Sequence, residues 1–358
     1  MRYSTLFVFT ALAALLVNGG RLAYPTIENG YSQNKVKPVT AFLVFLPIII
    51  FVCTSNWRYW TDYPVYLSIY HTTPTESSAA LAYLMEQKNS YLFYAFGYVI
   101  KVLSNDNEMF YRIALVLVQS IPLIAFFRKY STNYVYSIYL ILATALPLGW
   151  MLNGVRQIMA AAIIYGAAED IIQKRYVKVT LIILLASLFH QSAIVALPMV
   201  FFCQGQAWSR KTMLALLGTI VLTIVFSSSE EAFTNIAVNV GYNAEILALD
   251  NGASPLRALI AFVPVLLAFL GREEISRDGS PAINFFVNMS VINFGIYLVA
   301  IVTNGVLVGR IPLYTSLYTF VLLPYLFEKV FNGSLKGVFY IFSIMLYGVF
   351  YLFEIGMA

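Results

Sequence analysis

The chain has 358 residues, 60% of them hydrophobic and 11% charged, with a net charge of +5 and a mean hydropathy of +0.77. A soluble domain carries roughly a quarter of its residues charged, so this composition excludes a soluble globular protein and requires one built into a membrane. The basic residues sit mostly in short loops between apolar runs, where they report orientation in the membrane; no basic patch interleaved with aromatics is present, so no nucleic acid is expected as a partner.

The runs are about 17 to 22 residues long, the length a helix needs to cross roughly 30 Å of hydrocarbon. A transmembrane barrel would show alternating segments of about 10 residues, and ALIAFVPVLLAFL does not alternate. In chain order the predicted spans are residues 3–18, 40–55, 107–127, 132–150, 154–172, 212–228, 255–271, 282–303, 308–328 and 336–354. The expected fold is therefore all-α: one polytopic transmembrane helical bundle over 1–358, with about ten full spans plus a re-entrant or broken hairpin. Arg2 before the first run also fits a cleavable signal peptide, a reading disfavoured because removing that run improves the charge bias nowhere else. Prolines 47, 122, 147, 198, 264 and 324 predict kinks in apolar segments. Cys53 and Cys203 lie in apolar runs without metal-like spacing and read as small core residues.

Loops 19–39, 128–133, 173–178, 204–211, 271–281 and 327–336 hold fourteen of the 22 Lys and Arg. The positive-inside rule places them in the cytoplasm, and places the loop regions 56–106 and 229–254 outside, provided the further apolar run 179–203 returns to the side it left. That run is interrupted by His190, Gln191 and Ser192. A reversal there would make two half-helices with the polar triplet lining a wet cavity; the other reading is one long tilted helix with a buried, hydrogen-bonded histidine. Tyr91 to Leu103, about 13 residues, reads as an interfacial or re-entrant helix.

Polar residues near membrane depth gather on the outer side: Arg58 and Asp62, Arg156, His190, Arg257 and Arg310. Ionisable groups near hydrocarbon are costly and are kept for a partner or substrate. In LNGVRQIMAAAIIYGAA, Asn153 reads as an N-cap and Arg156 falls in the first turn, where a cation opposes the helix dipole unless an anion binds there; an arginine snorkelling to lipid head groups is the simpler alternative. In NWRYWTDYPVYLSIYH, Asp62 and Pro64 read as a helix start, with Tyr63, Tyr66 and Tyr70 on one face. That face fits either an interfacial aromatic belt or a platform for sugar rings, with Asp62 acting on a hydroxyl or orienting an arginine. Arg310 precedes a predicted span by one turn with Tyr314 four residues on, so two arginines from different helices could clamp a pyrophosphate. Arg257, after Pro255, is a weaker member of the set, and His71 reads as solvated.

WRYWTDYPVY, NGVRQIMAAAI and ASLFHQSAIVALPM, in this order and spacing, resemble the EpsG family of Wzy-like bacterial polysaccharide polymerases, clearly over about residues 56–199 and more weakly at Arg310 and Tyr314. The resemblance implies a GT-C-like fold in the bacterial cytoplasmic membrane and a glycosyltransferase that polymerises undecaprenyl-pyrophosphate-linked repeat units on the periplasmic or outer face. It implies catalytic roles for Asp62, Arg156 and His190, and substrate binding by Arg58, Tyr63, Gln157 and Ser192, with Arg257, Arg310 and Tyr314 added from the reading above. Two departures stand out: Gln191 follows the histidine where the family often has lysine, and Lys88 and Asn89 precede Tyr91 where it often has an acidic residue.

The expected substrates are two lipid-linked glycans, a donor and an acceptor, surrounded by membrane lipids; a polysaccharide co-polymerase regulating chain length is implied as a partner by the resemblance alone. No cofactor is expected, and with no carboxylate cluster in the sequence no metal site is expected either. Rival readings are a flippase or transporter of the lipid-linked oligosaccharide, an O-antigen ligase, and a GT-C enzyme using lipid-phosphate sugars. The first should show repeat symmetry, and the last a clearer acidic pair than Asp62 offers.

Overall fold

The computed structural model describes residues 27–28, 31–32, 36–56, 59–87, 89–228, 252–303, 308–331 and 334–357. The predicted span 3–18, Arg58 and nearly all of the loop 229–254 lie outside the described residues. Two two-residue strands, Ile27–Glu28 and Tyr31–Ser32, are the only strands among the described residues; the rest of the regular structure is helical.

The helices are α1 (Pro38–Thr54), α2 (Tyr63–Thr72), α3 (Ser77–Glu86), α4 (Tyr91–Ser104), α5 (Glu108–Tyr130), α6 (Tyr134–Ala143), α7 (Leu146–Asn153), α8 (Val155–Gly166), α9 (Ala168–Ile172), α10 (Tyr176–Ser187), α11 (Ala196–Phe202), α12 (Arg210–Ser228), α13 (Pro255–Leu270), α14 (Arg272–Asp278), α15 (Pro281–Ile301), α16 (Ser316–Tyr325) and α17 (Ser334–Met357). Among these, α5, α12, α15 and α17 are long and apolar enough to cross a membrane, making four, or six if the bent pairs α6–α7 and α13–α14 each count as one span. Several predicted spans are thus divided. The run 132–150 bends by 61° between α6 and α7, and the run 154–172 breaks at Ala167 into α8 and α9. The predicted loop 271–281 contains α14, at 69° to α13. The predicted span 308–328 begins as a 3-10 helix, Val308–Tyr314, and ends as a π-helix, Leu326–Val330, with α16 between them. Pro312 within the first and Pro324 ahead of the second remove backbone donors, which favours departures from regular α-helix.

The chain forms two compact units, one of residues 32–197 with 341–358, the other of residues 198–340. In the first, α8 packs on α5, where a Cβ added to Gly166 would lie 3.2 Å from Pro122; Ala160, Ala161 and Ala162 of α8 are fully buried. Small residues let helices approach closely where lipid supplies no hydrophobic drive between them. Asn107 and Asn133 cap α5 and α6 by accepting from Phe110 N at 3.0 Å and Tyr136 N at 3.1 Å.

The second unit is organised around α15, whose apolar length is interrupted by asparagines used as internal ties. Asn284 accepts from Ala207 N at 2.8 Å, Asn288 donates to Cys203 O at 3.0 Å, and Asn293 accepts from Thr315 Oγ1 at 2.7 Å. Buried amides need such partners. By contrast α12 leaves large apolar side chains exposed, including Leu214 and Ile224, and in the first unit α17 does the same at Ile341 and Leu352, as surfaces facing hydrocarbon should.

Gly252 tests the packing of this unit. Its φ is +78°, and a Cβ there would lie 2.6 Å from Ile301 O and 2.9 Å from Ala300 O, backbone atoms at the end of α15. The left-handed conformation alone costs an L-residue about 1–2 kcal/mol, and the backbone clash adds to it. Gly252→Ala is expected to lower stability by about 2 kcal/mol or more, read as an earlier thermal unfolding transition in detergent; an unchanged transition would contradict this local geometry.

Candidate functional site

The first unit brings six of the sequence-predicted residues into one neighbourhood, with the start of α8 as its hub. Proline fits the first turn of a helix, and Pro64 occupies the second position of α2 with Asp62 as the N-cap residue. The Asp62 carboxylate makes no capping hydrogen bond, and a negative group at this position complements the helix dipole. The backbone N–H of Asp62 donates to Asn153 Oδ1 at 3.3 Å. Asn153 was expected to cap α8; instead it ends α7, and Gly154 is the residue shared by the two helices. The Asn153 side chain ties the start of α2 to the end of α7, one residue before the junction with α8.

Arg156 is the second residue of α8, whose N-terminus has no side-chain cap. Its guanidinium carbon lies 5.7 Å from the Tyr66 ring centre and 5.9 Å from that of Phe93. These two rings meet edge to face at 5.6 Å, an arrangement that suits a planar cation. Arg156 Nη1 reaches Ser90 Oγ at 3.5 Å, the outer limit of a hydrogen bond, and Nε is buried without a hydrogen-bond partner. An arginine held by aromatic faces, with its donors scarcely used inside the protein, keeps its fork available to an oxyanion. Ser90, Tyr66 and Phe93 were not legible as parts of this frame, because each belongs to an element distant in sequence from α8.

The next residue turns the other way. Gln157 Nε2 donates to Ser192 Oγ at 3.2 Å, and Ser192 Oγ lies 2.7 Å from His190 Nδ1. The backbone N–H of Ser192 also donates to that nitrogen, at 3.3 Å. Two donors directed at Nδ1 assign it as the acceptor in the neutral ring and leave the proton on Nε2. His190 itself has extended backbone at a break between α10 and a 3-10 helix, Gln191–Val195, so the apolar run is broken here and is not one continuous helix. Leu188 O, freed by that break, accepts from Leu92 N at 3.1 Å, which ties α4 to it. Ser192→Ala keeps the backbone donor to Nδ1 and is expected to reduce activity by less than about tenfold, the scale of one neutral hydrogen bond; His190→Ala removes the group itself and should cost more. Equal losses in initial rate would contradict this ordering.

The tyrosine platform needs correction. Tyr63, Tyr66 and Tyr70 do share a face of α2, but their exposures are 1%, 5% and 0%: the face packs against α4 and α5 and does not open to solvent. Tyr70 stacks on Tyr111 at 4.1 Å. Burial pushes the Tyr63 phenol up to about 12, so it stays protonated, and its hydroxyl has no hydrogen-bond partner. Tyr63→Phe leaves nothing newly unsatisfied and should keep wild-type activity and equal or higher thermal stability, whereas a large loss of rate would restore a substrate contact. His71, expected to be solvated, is exposed in the last turn of α2, with Nε2 3.1 Å from Glu108 Oε2.

Arg257, Arg310 and Tyr314 belong to the second unit. Arg257 is in the first turn of α13, which Ser254 caps by accepting from Leu256 N at 3.3 Å. Arg310 and Tyr314 do not share a face as expected, because in a 3-10 helix residues three apart, not four, are eclipsed; Tyr314 is buried and Arg310 partly exposed. Among the described residues no group of three or more His, Cys, Asp or Glu side chains could hold a metal ion.

The EpsG family model matches residues 39–356. The chain belongs to the EpsG family. Members of this family are Wzy-like, polymerase-type proteins, and the match takes in both units and every site residue named above. No curated protein and no solved structure matches the chain. This EpsG-family chain is thus a membrane-embedded protein of polysaccharide biosynthesis.

Proposed function

We propose that the protein is a glycosyltransferase that polymerises undecaprenyl-pyrophosphate-linked oligosaccharide repeat units at the outer face of the cytoplasmic membrane, within a GT-C-like bundle whose divided helices make up about ten crossings. The observation that carries this reading is the start of α8, where Arg156 sits in an aromatic frame while Asn153 and Gln157 tie the same turn to Asp62 and to His190 with Ser192.

In this reading Arg156 and the N-terminus of α8 bind the donor pyrophosphate, with the His190 Nε2–H as a further donor. An acceptor hydroxyl attacks the anomeric carbon of the donor glycan; the bond from that carbon to the pyrophosphate oxygen breaks, and undecaprenyl pyrophosphate leaves with the electron pair. Asp62 takes the hydroxyl proton. Arg257 and Arg310 are read as phosphate-binding groups of the second unit, Arg58, four residues before Asp62 in sequence, as a substrate-binding group, and a chain-length-regulating co-polymerase as the protein partner.

The test is reconstitution in liposomes with a defined, fluorescent lipid-pyrophosphate-linked repeat unit. A ladder of glycan lengths supports polymerisation. Movement of the labelled lipid between leaflets without a ladder would replace this reading with that of a flippase, and transfer of single units to a different acceptor lipid would replace it with that of a ligase.

A further inference from the structure

Arg112 is absent from the motifs, yet it is a buried guanidinium one element away from Asp62. It lies in the second turn of α5 and is 8% exposed. Its Nε donates to Glu108 Oε1 at 2.8 Å, and Nη2 donates to the same oxygen. Nη1 reaches Ser55 O, just past the end of α1, at 3.4 Å. The guanidinium carbon stands 5.6 Å from the centre of the Tyr63 ring, and Tyr63 is the residue directly after Asp62. The second oxygen of Glu108 pairs with His71 in the last turn of the same helix. Lys101 from α4 closes that end by donating to Tyr70 O, His71 O and Thr73 O at 3.0, 2.7 and 2.8 Å. The first turns of α5 therefore contact α2 at both ends, and of these two contacts the one nearer Asp62 is made by Arg112.

We propose that Arg112 is a positioning residue for Asp62: its guanidinium, fixed by Glu108 and by the end of α1, holds the Tyr63 ring and with it the N-terminus of α2. The inference rests on the reading of Asp62 as the group that acts on the acceptor. Charge alone is not enough for this role. Lysine could pair with Glu108 but lacks the planar fork that bonds a carboxylate and a carbonyl while stacking on a ring.

A substrate-free test uses Asp62→Cys, since the native Cys53 and Cys203 are both buried. Labelling of that cysteine by a small maleimide is expected to change severalfold when Arg112→Met or Arg112→Lys is added. It should not change with Arg128→Met, which breaks a contact to Val36 O at the far end of α5. Glu108→Gln, which weakens the anchor and keeps the arginine, serves if Arg112→Met fails to fold, and should shift labelling in the same direction. Equal labelling rates in all backgrounds would overturn the proposal. In the ladder assay, Arg112→Lys should lower kcat about tenfold or more with donor KM unchanged, and should add little to the loss already caused by Asp62→Asn while adding fully to that of Arg156→Lys. Additive losses in both backgrounds would also overturn it. Asp62→Cys variants that label as expected, beside a wild type that builds no ladder, would remove the polymerase reading and leave the positioning claim standing.

Discussion

Arg156→Ala is expected to reduce the rate of glycan extension by about 100- to 1,000-fold, equivalent to about 2.7–4 kcal/mol of transition-state stabilisation. The reason lies in what surrounds the side chain. Its guanidinium is framed by the Tyr66 and Phe93 rings, has one long contact to Ser90, and keeps Nε buried without a partner. A charge held in that way contributes little to folding and much to binding an oxyanion whose charge grows as the sugar–phosphate bond breaks. Arg156→Lys should recover part of the rate, since a cation remains, but not all of it, because an ammonium offers no flat face to the two rings and no bidentate fork to a phosphate. Both variants should fold. Initial rates of repeat-unit incorporation by purified protein, with thermal melts beside them, check this; an Arg156→Ala protein that melts as wild type and extends glycan at the wild-type rate would show that the arginine only anchors the helix to lipid head groups.

Asp62→Asn is expected to cost about 100- to 10,000-fold in kcat, the range for losing a general base, with a small effect on donor binding. The substitution is close to isosteric, and the carboxylate makes no capping hydrogen bond, so α2 should form as before. The backbone bond from Asp62 to Asn153 survives the change, because it uses the main-chain N–H. A loss confined to kcat therefore reports the carboxylate and not the architecture. If acceptor concentration restored the rate, the aspartate would be binding acceptor rather than taking its proton.

The membrane class and the helical content were legible in the sequence, because each follows from composition or run length; the polar interruption at His190 was visible too, but it fitted a reversal or one long tilted helix, and the structure decides for a break. The helix start at Asp62 was legible for a local reason, the proline two residues on. What could not be read were the contacts that make these residues one site. The Asp62 to Asn153 bond joins residues 91 apart, and the aromatic frame around Arg156 comes from α2 and α4, so no local pattern encodes either. The tyrosine face of α2 illustrates the limit of periodicity: spacing places Tyr63, Tyr66 and Tyr70 together, but burial or exposure depends on what packs against them. The span boundaries misled for a related reason. Hydropathy measures apolar length, whereas the breaks at Ala145, with φ of +54°, and at Ala167 interrupt the helices within apolar sequence.

The most direct test of the central claim is to count products in a single defined reaction, one lipid-pyrophosphate-linked donor and one lipid-linked acceptor in proteoliposomes, with wild-type protein beside folded Arg156→Ala and Asp62→Asn. The expected result is one undecaprenyl pyrophosphate released for each glycosidic bond formed by the wild type, with both products falling together in each variant. Bond formation at wild-type rate in both variants, or release of the lipid pyrophosphate without any new bond, would contradict a glycosyl-transfer centre at the start of α8.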